Sequence, residues 1–328
     1  MVVYILGFLA CAGVIVYSGT KLSVYADRLA TLTGLSRAWL GLVLLASVTS
    51  IPELFTALSA VVLVGAPDLT LGNLVGSCAF NIVSVVLVHL LTPARALAAP
   101  VSAEHSLTAA FVVLMLCLIG FGFLQPAAFG QVGWVGGYSL VLAGVYLLAI
   151  YTIFHYGQKT DPPSEAPAAA AGPGLRFVLV RFSCHALLVM VSALALPYFS
   201  EYLAAASGLG QRFFGTFFLS FTTALPEVVV SVSALRLGSL DMALGNLFGS
   251  NLFNLFVLAL ADLFFVAGPL FAHVSAHHLL TVFAAIALTA LALVGLITRP
   301  ARRRRWSIDT VGVLVGYLWL VVLLFRNR

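Results

Sequence analysis

Charge is what this chain lacks most. Only 8% of its 328 residues are Asp, Glu, Lys or Arg, against roughly 25% in an ordinary soluble domain. A water-exposed surface cannot be built from that supply, so soluble folding is excluded. Cysteine is scarce too: Cys11, Cys78, Cys117 and Cys184 all fall inside apolar runs, which argues against a disulfide framework and for small buried hydrophobes. Met1 leads into an apolar run with no basic region and no convincing cleavage site, so no cleavable signal is expected. The net charge of +5 is not a nucleic-acid signal, because basic residues beside membrane spans set orientation.

What is present is apolar sequence. Hydrophobic residues make up 62% of the chain and recur in continuous runs of roughly 20, each long enough to cross a bilayer as a helix. Alternation of the kind shown by outer-membrane strands is missing. The expected fold is therefore all-α and integral to the membrane, with ten transmembrane helices near 2–20, 38–64, 69–91, 104–124, 131–156, 176–200, 211–235, 242–266, 273–297 and 308–325. Residues 157–174, rich in Pro and Ala, read as a flexible linker between a first half, 1–156, and a second, 175–328.

Orientation follows from the basic residues. One side of the ten-span arrangement collects 13 of them, including Lys21, Arg181 and the Arg302–Arg305 cluster, and the other only Arg212, Arg326 and Arg328. That bias places the linker in the cytoplasm and both termini outside; the arginine cluster also suits anionic lipid headgroups. Ala-, Leu- and Arg-rich usage points to a prokaryotic plasma membrane.

One stretch occurs twice. Thr49-Ser50-Ile51-Pro52-Glu53 is followed by Leu71-Gly-Asn-Leu-Val-Gly-Ser-Cys-Ala-Phe-Asn81; later come Thr223-Ala224-Leu225-Pro226-Glu227 and Leu244-Gly-Asn-Leu-Phe-Gly-Ser-Asn-Leu-Phe-Asn254. Eight of the eleven positions in the second element are identical, which marks an internal repeat, with copies at about 40–91 and 214–266. Five spans per half make the second copy enter the membrane from the opposite face, as in transporters built from inverted repeats.

Of eleven acidic residues only Glu53 and Glu227 lie deep inside expected spans; Asp262 falls near the outer end of the eighth. A charge at the bilayer centre costs at least about 2.5–3.5 kcal/mol on the insertion scale. No basic residue lies deep in a span to answer it, so a bound cation or a proton is the expected counter-charge. Each glutamate follows a proline, which opens the preceding turn and frees carbonyls around Ala46–Thr49 and 220–223 toward a cavity. Asn73, Ser77 and Asn81, and again Asn246, Ser250 and Asn254, are spaced by four and share one helix face. Gly72 with Gly76, and Gly245 with Gly249, let another backbone approach closely. An all-oxygen set suits hard cations such as calcium, and the repeat offers no sulfur or imidazole cluster for zinc or copper. His273, His277 and His278 gather at the outer end of the ninth span, open to metal binding or pH sensing or to a plain interfacial role.

These residues resemble the α-repeats of the cation/calcium exchanger superfamily, in its sodium/calcium exchanger branch: a Gly-Thr-Ser-Leu-Pro-Glu core followed by Gly-Asn-x-x-Gly-Ser-Asn-x-x-Asn or Asp. The resemblance covers the whole chain. It implies that Glu53 and Glu227 coordinate calcium and are shared with sodium, that Thr49, Ser50, Ser77 and Asn81 contribute from the first copy and Thr223, Ser250 and Asn254 from the second, and that the first and sixth spans slide across the other eight. The implied activity is antiport of Ca2+ against Na+ by alternating access, with the ions as cargo and no resident cofactor. The family glycine before Thr-Ser is Val48 in one copy and Thr222 in the other, and the family serine is Ala224 in the second. Fewer oxygens and less negative charge would suit H+ as the counter-ion, giving a Ca2+/H+ antiporter of the same fold. No protein partner is inferred beyond the lipid bilayer. An intramembrane enzyme is poorly supported, since His-Glu-x-x-His, Gly-x-Ser-Gly and Gly-x-Gly-Asp are absent, and no potassium-type filter marks a channel.

Overall fold

The computed structural model describes residues 2–93, 101–160, 173–207, 222–298 and 306–326. Among these the chain is almost entirely helical. Helix α1 is Val2–Thr33, α2 Arg37–Thr49, α3 Ile51–Val64, α4 Pro67–Leu91, α5 Ala103–Leu124, α6 Gly137–Thr160, α7 Leu175–Ser207, α8 Leu225–Arg236, α9 Leu240–Phe264, α10 His278–Thr298 and α11 Ile308–Arg326. Seven are long and apolar enough to cross a membrane, and α2 with α3, a pair bent at a short break, makes an eighth. Large apolar side chains cover the outside, Leu63, Leu147, Ile308 and Leu318 among them, each more than 60% exposed. Such a surface is stable in hydrocarbon and not in water; the chain is an integral, multi-pass membrane protein.

Several boundaries differ from those expected. The first span, expected at 2–20, continues to Thr33. Hydropathy falls at Lys21, but nothing breaks the helix until Gly34, which takes the left-handed φ of 72° of a helix-terminating glycine. The fifth span begins at Gly137 rather than 131, because Gln131–Val132 and Val135–Gly136 pair as a small antiparallel hairpin, β1 and β2. Gly133, with φ 62°, takes the first central position of its two-residue turn, where a turn that matches strand twist requires glycine. The ninth span starts at His278; Leu270–His273 is a separate 3-10 turn. The seventh span is described only from Thr222 onward, and 161–172 of the linker and Arg302–Arg305 lie outside the described residues.

Two compact units form, each taking segments from both halves of the chain: Met1–Pro52 with Gln158–Ser250, and Glu53–Gly157 with Asn251–Arg328. In the first, α1 packs against α7 and α8 through Ile15, Ala193 and Leu196, with Cys11, Leu225 and Val229 around them. Polar pins accompany this packing. Ser23 donates to the Val230 carbonyl at 2.9 Å, and Asp27 accepts from Arg37 at 2.6 Å and from Ser239 at 3.0 Å.

Helix α2 is wound as a π-helix over Leu40–Leu45. Here it lies backbone to backbone on the first turns of α9: a Cβ at Gly41 would strike the Met242 carbonyl, one at Gly245 the Ala38 carbonyl and one at Gly249 the Leu42 carbonyl. The small-residue pair expected to admit another backbone does so in the second copy. In the first, Gly72 meets the His278 ring and Gly76 has nothing within 4 Å.

In the second unit α10 packs against α4, α5 and α11. Asp262 is 1% exposed and wholly occupied by structure. It accepts from the Gly136 N–H at 2.9 Å, the Leu270 N–H at 2.6 Å and the Tyr138 hydroxyl at 3.3 Å, and that hydroxyl accepts from the Phe271 N–H at 2.9 Å. The carboxylate thus ties α9 to the hairpin and the 3-10 turn. The expected histidine cluster does not share one helix face. His278 pairs with Asp68 at 3.1 Å, while His273 lies on the 3-10 turn with its Nδ1 3.2 Å from the Pro269 carbonyl. Of the cysteines, only Cys78 is buried; Cys11 and Cys117 are half-buried and Cys184 is exposed on α7, so the expectation of four buried thiols holds for one.

Asp262→Ala strands two backbone N–H groups and a phenol at once. At about 1–3 kcal/mol for each buried donor left unmade, the variant should lose at least about 2 kcal/mol of stability. Thermal unfolding in detergent reads this, and an unchanged midpoint would contradict the role given to Asp262.

Candidate cation site

The nine candidate ligands are all buried: Thr49, Ser50, Ser77, Thr223, Ser250 and Asn254 at 0% exposure, Glu53, Asn81 and Glu227 at 1%; Asn73, at the start of the first copy's polar stripe, is half-buried. An unsolvated carboxylate is costly unless its charge is met, so what surrounds each one decides its chemistry.

In the first unit the two copies of the motif meet. Helix α2 ends at Thr49, and Ser50, with φ −94° and ψ 5°, breaks it. Pro52 has no N–H to give, so the Val48 carbonyl four residues back loses its helical donor. The Ala46 carbonyl, expected to be free, is not: it accepts from the Ser50 N–H at 3.0 Å. The break turns the Ser50 hydroxyl onto Glu227, where it donates to Oε1 at 3.1 Å. The Thr49 hydroxyl stands 3.3 Å from both the Ala46 carbonyl and Asn246 Oδ1, and 3.4 Å from the Ser250 hydroxyl. It has one proton for these acceptors, so lone pairs remain over.

Asn246 shows how the cluster is oriented. Its Nδ2 donates to the Glu227 carbonyl at 3.2 Å and to the Ser231 hydroxyl at 2.9 Å. Both amide protons are used, which leaves Oδ1 directed at Thr49. Glu227 Oε2 has no hydrogen-bond partner. The cluster is a carboxylate, three hydroxyls and an amide oxygen. Thr223, 0% exposed, lies one turn before Glu227.

The second unit repeats the logic on other residues. Asn81 Nδ2 donates to Asn251 Oδ1 at 3.0 Å, and Asn251 Nδ2 donates to the Cys78 carbonyl at 3.1 Å. Again the amide nitrogen is spent and the oxygen kept: Asn81 Oδ1 is buried without a partner. Ser77 Oγ, one turn back on α4, and both amide atoms of Asn254 and of Asn73 are unpartnered as well. Buried polar atoms are paired in the great majority of cases, and oxygens left over in this way are of the kind that a hard cation takes as ligands. Glu53 is buried in the same unit at the start of α3.

Two residues escaped the sequence reading. Asn251 occupies the repeat position held by Cys78 in the first copy. The two bond reciprocally, Cys78 Sγ donating to the Asn251 carbonyl at 3.7 Å and the Asn251 amide returning the bond. Its signal was present, as the one polar member of a mismatched repeat position. Ser231, one turn beyond Glu227, had none, since a serine in an apolar helix is ordinary.

Asn251→Ala removes the acceptor of Asn81 and the donor to Cys78 together, whereas Cys78→Ala removes one weak thiol donor. The asparagine variant should be less stable than wild type by about 2 kcal/mol or more and the cysteine variant nearly neutral. Equal midpoints in thermal unfolding would overturn this ranking.

Residues 3–158 and 177–326 match the sodium/calcium exchanger protein family. An uncharacterised membrane protein of Methanocaldococcus jannaschii, MJ0091, is 26% identical over 326 residues and 98% of each chain. The sodium/calcium exchanger MaX1 of Methanosarcina acetivorans is 34% identical over 153 residues, 45% of this chain and 40% of that one. In fold, the chain is similar to a structure of the sodium-calcium exchanger NCX_Mj soaked with Na+ and Sr2+, with a TM-score of 0.77 at 21% identity, covering 98% of both.

Proposed function

Because the chain belongs to the sodium/calcium exchanger protein family, a family of transporters rather than enzymes, we propose that it is a secondary antiporter exchanging Ca2+ for Na+ across a membrane by alternating access. The observation that carries this reading is the set of buried oxygens left without partners around the two copies of the motif. Glu53 and Glu227 bring two negative charges, the charge of one calcium ion, and the remaining ligands are neutral. Ser50 steadies Glu227, Thr49 and Asn246 aim their oxygens, and Ser77, Asn81, Thr223, Ser250 and Asn254 add the hydroxyls and amides that a six- to eight-oxygen shell calls for. Sodium draws on the same carboxylates, so the two ions compete rather than bind together.

The topology that supports this function is ten spans arranged as two inverted five-helix repeats, 1–156 and 175–328, joined by the linker 157–174. The reciprocal bonding of Cys78 and Asn251, equivalent positions of the two copies, is what a pseudo-twofold relation between them generates. The positive-inside bias puts both termini outside and the linker in the cytoplasm, in a prokaryotic plasma membrane.

In proteoliposomes, Glu53→Gln and Glu227→Gln should each abolish sodium-driven calcium flux while the protein still inserts; near-normal exchange in both would refute the site. A sodium gradient at fixed pH should drive calcium uptake in the wild type. Uptake that ignores sodium and follows a pH gradient instead would make H+ the counter-ion, a reading favoured by Ala224, which supplies no hydroxyl where the first copy has Ser50.

A further inference from the structure

The first unit carries a second charged feature, of opposite sign and with no place in ion exchange. Lys21 on α1 and Arg181 on α7 both lie within electrostatic range of the His185 ring, and neither forms an ion pair with any described residue. Around them stand two aromatic ladders at one-turn spacing. On α1, Tyr17 and Tyr25 flank Lys21, whose Nζ is 5.9 Å from the Tyr17 ring centroid. On α7, Phe177 and His185 flank Arg181, whose guanidinium carbon is 5.3 Å from the Phe177 ring centroid. His185 joins the ladders, stacked on Tyr25 at 5.7 Å and edge-on to Tyr17 at 5.8 Å. It is 8% exposed, and its Nδ1 is buried with no partner.

Two cations therefore flank one imidazole on a helix pair where the apolar Val24 and Val180 are exposed beside them. Two cations sharing one imidazole repel, and at a membrane surface they call for an anion. Among the described residues neither cation has an acidic partner. We propose that the α1–α7 face holds the phosphate of an anionic phospholipid, with Arg181 and Lys21 as its counter-charges and Tyr17 and Tyr25 placing the site at headgroup depth. Tyrosines mark the membrane–water interface. A guanidinium matches phosphate oxygens two at a time, and an ammonium adds a point charge. Basic pockets between membrane helices take acidic headgroups in this manner. A zwitterionic headgroup carries its own cation and leaves the two side chains unanswered.

The test is native mass spectrometry of the full chain released from mixed vesicles of phosphatidylglycerol and phosphatidylcholine, scoring which lipid stays bound. The wild type should retain phosphatidylglycerol preferentially. In the Lys21→Gln/Arg181→Gln variant that preference should fall roughly 30-fold, at about 1 kcal/mol for each basic residue, whereas Lys21→Arg/Arg181→Lys should keep it. Equal retention of the two lipids by the wild type, or an unchanged preference in the neutral variant, would overturn the proposal. The wild type alone gives an independent reading: raising the salt should erase the preference, and a preference indifferent to salt counts against it. Inorganic phosphate added at vesicle-lipid concentration should not displace the lipid; displacement would mean that the face binds free phosphate, contrary to the assignment.

Discussion

A carboxylate without water has to be answered by something, and the polar interior of this protein is arranged around that requirement. Glu227 receives the Ser50 hydroxyl on one oxygen and nothing on the other. One hydrogen bond to a charged group contributes about 1.5–3 kcal/mol, which at best offsets an insertion cost of at least about 2.5–3.5 kcal/mol and leaves the second oxygen unanswered. The shortfall calls for a cation or a proton, the counter-charge proposed for this site. A full salt bridge would have met the charge permanently and left no reason for an ion to bind.

The neutral partners are oriented by the same economy. In each unit an asparagine spends its amide protons on neighbouring oxygens, Asn246 on the Glu227 carbonyl and Ser231, Asn81 on Asn251. Each keeps its carbonyl oxygen for another use. An amide whose nitrogen was free could flip and present a donor to a cation, which is repulsive; tying the nitrogen down fixes the sign of what faces the ion. The close backbone contact of α2 on α9 at Gly41, Gly245 and Gly249 sets the spacing on which the Thr49 and Asn246 contacts depend. An added methyl at those glycines would meet carbonyl oxygen, not a yielding side chain.

Much of this was legible in the sequence because membrane solvent makes the rules strict. Continuous apolar runs gave the helices, and two acids in two apolar runs stood out where charge is scarce. Burial of the repeat's oxygens followed from their spacing by four on helices. What sequence could not supply were the features decided by packing. Nothing before Gly34 stops α1, so the fall in hydropathy at Lys21 misplaced its end by about three and a half turns. The hairpin at 131–136 is held by Asp262, a partner more than 100 residues distant. Ala46 seemed a freed carbonyl because the proline was counted and the Ser50 N–H was not.

Asp262 and Glu227 also show why burial alone does not identify a functional acid. Both are 1% exposed. Asp262 takes two backbone N–H groups and a phenol, a shell that stabilises a fixed negative charge and leaves no vacancy. Glu227 sits among hydroxyls and an amide oxygen, groups that can turn their lone pairs to a cation as readily as they hydrogen-bond to one another. The two backbone N–H groups cannot reverse polarity, and the Tyr138 phenol is held as a donor by the Phe271 N–H bond that it accepts, so this shell belongs to architecture. Hydroxyls not held in this way can, and an ion that must enter and leave needs ligands of that kind.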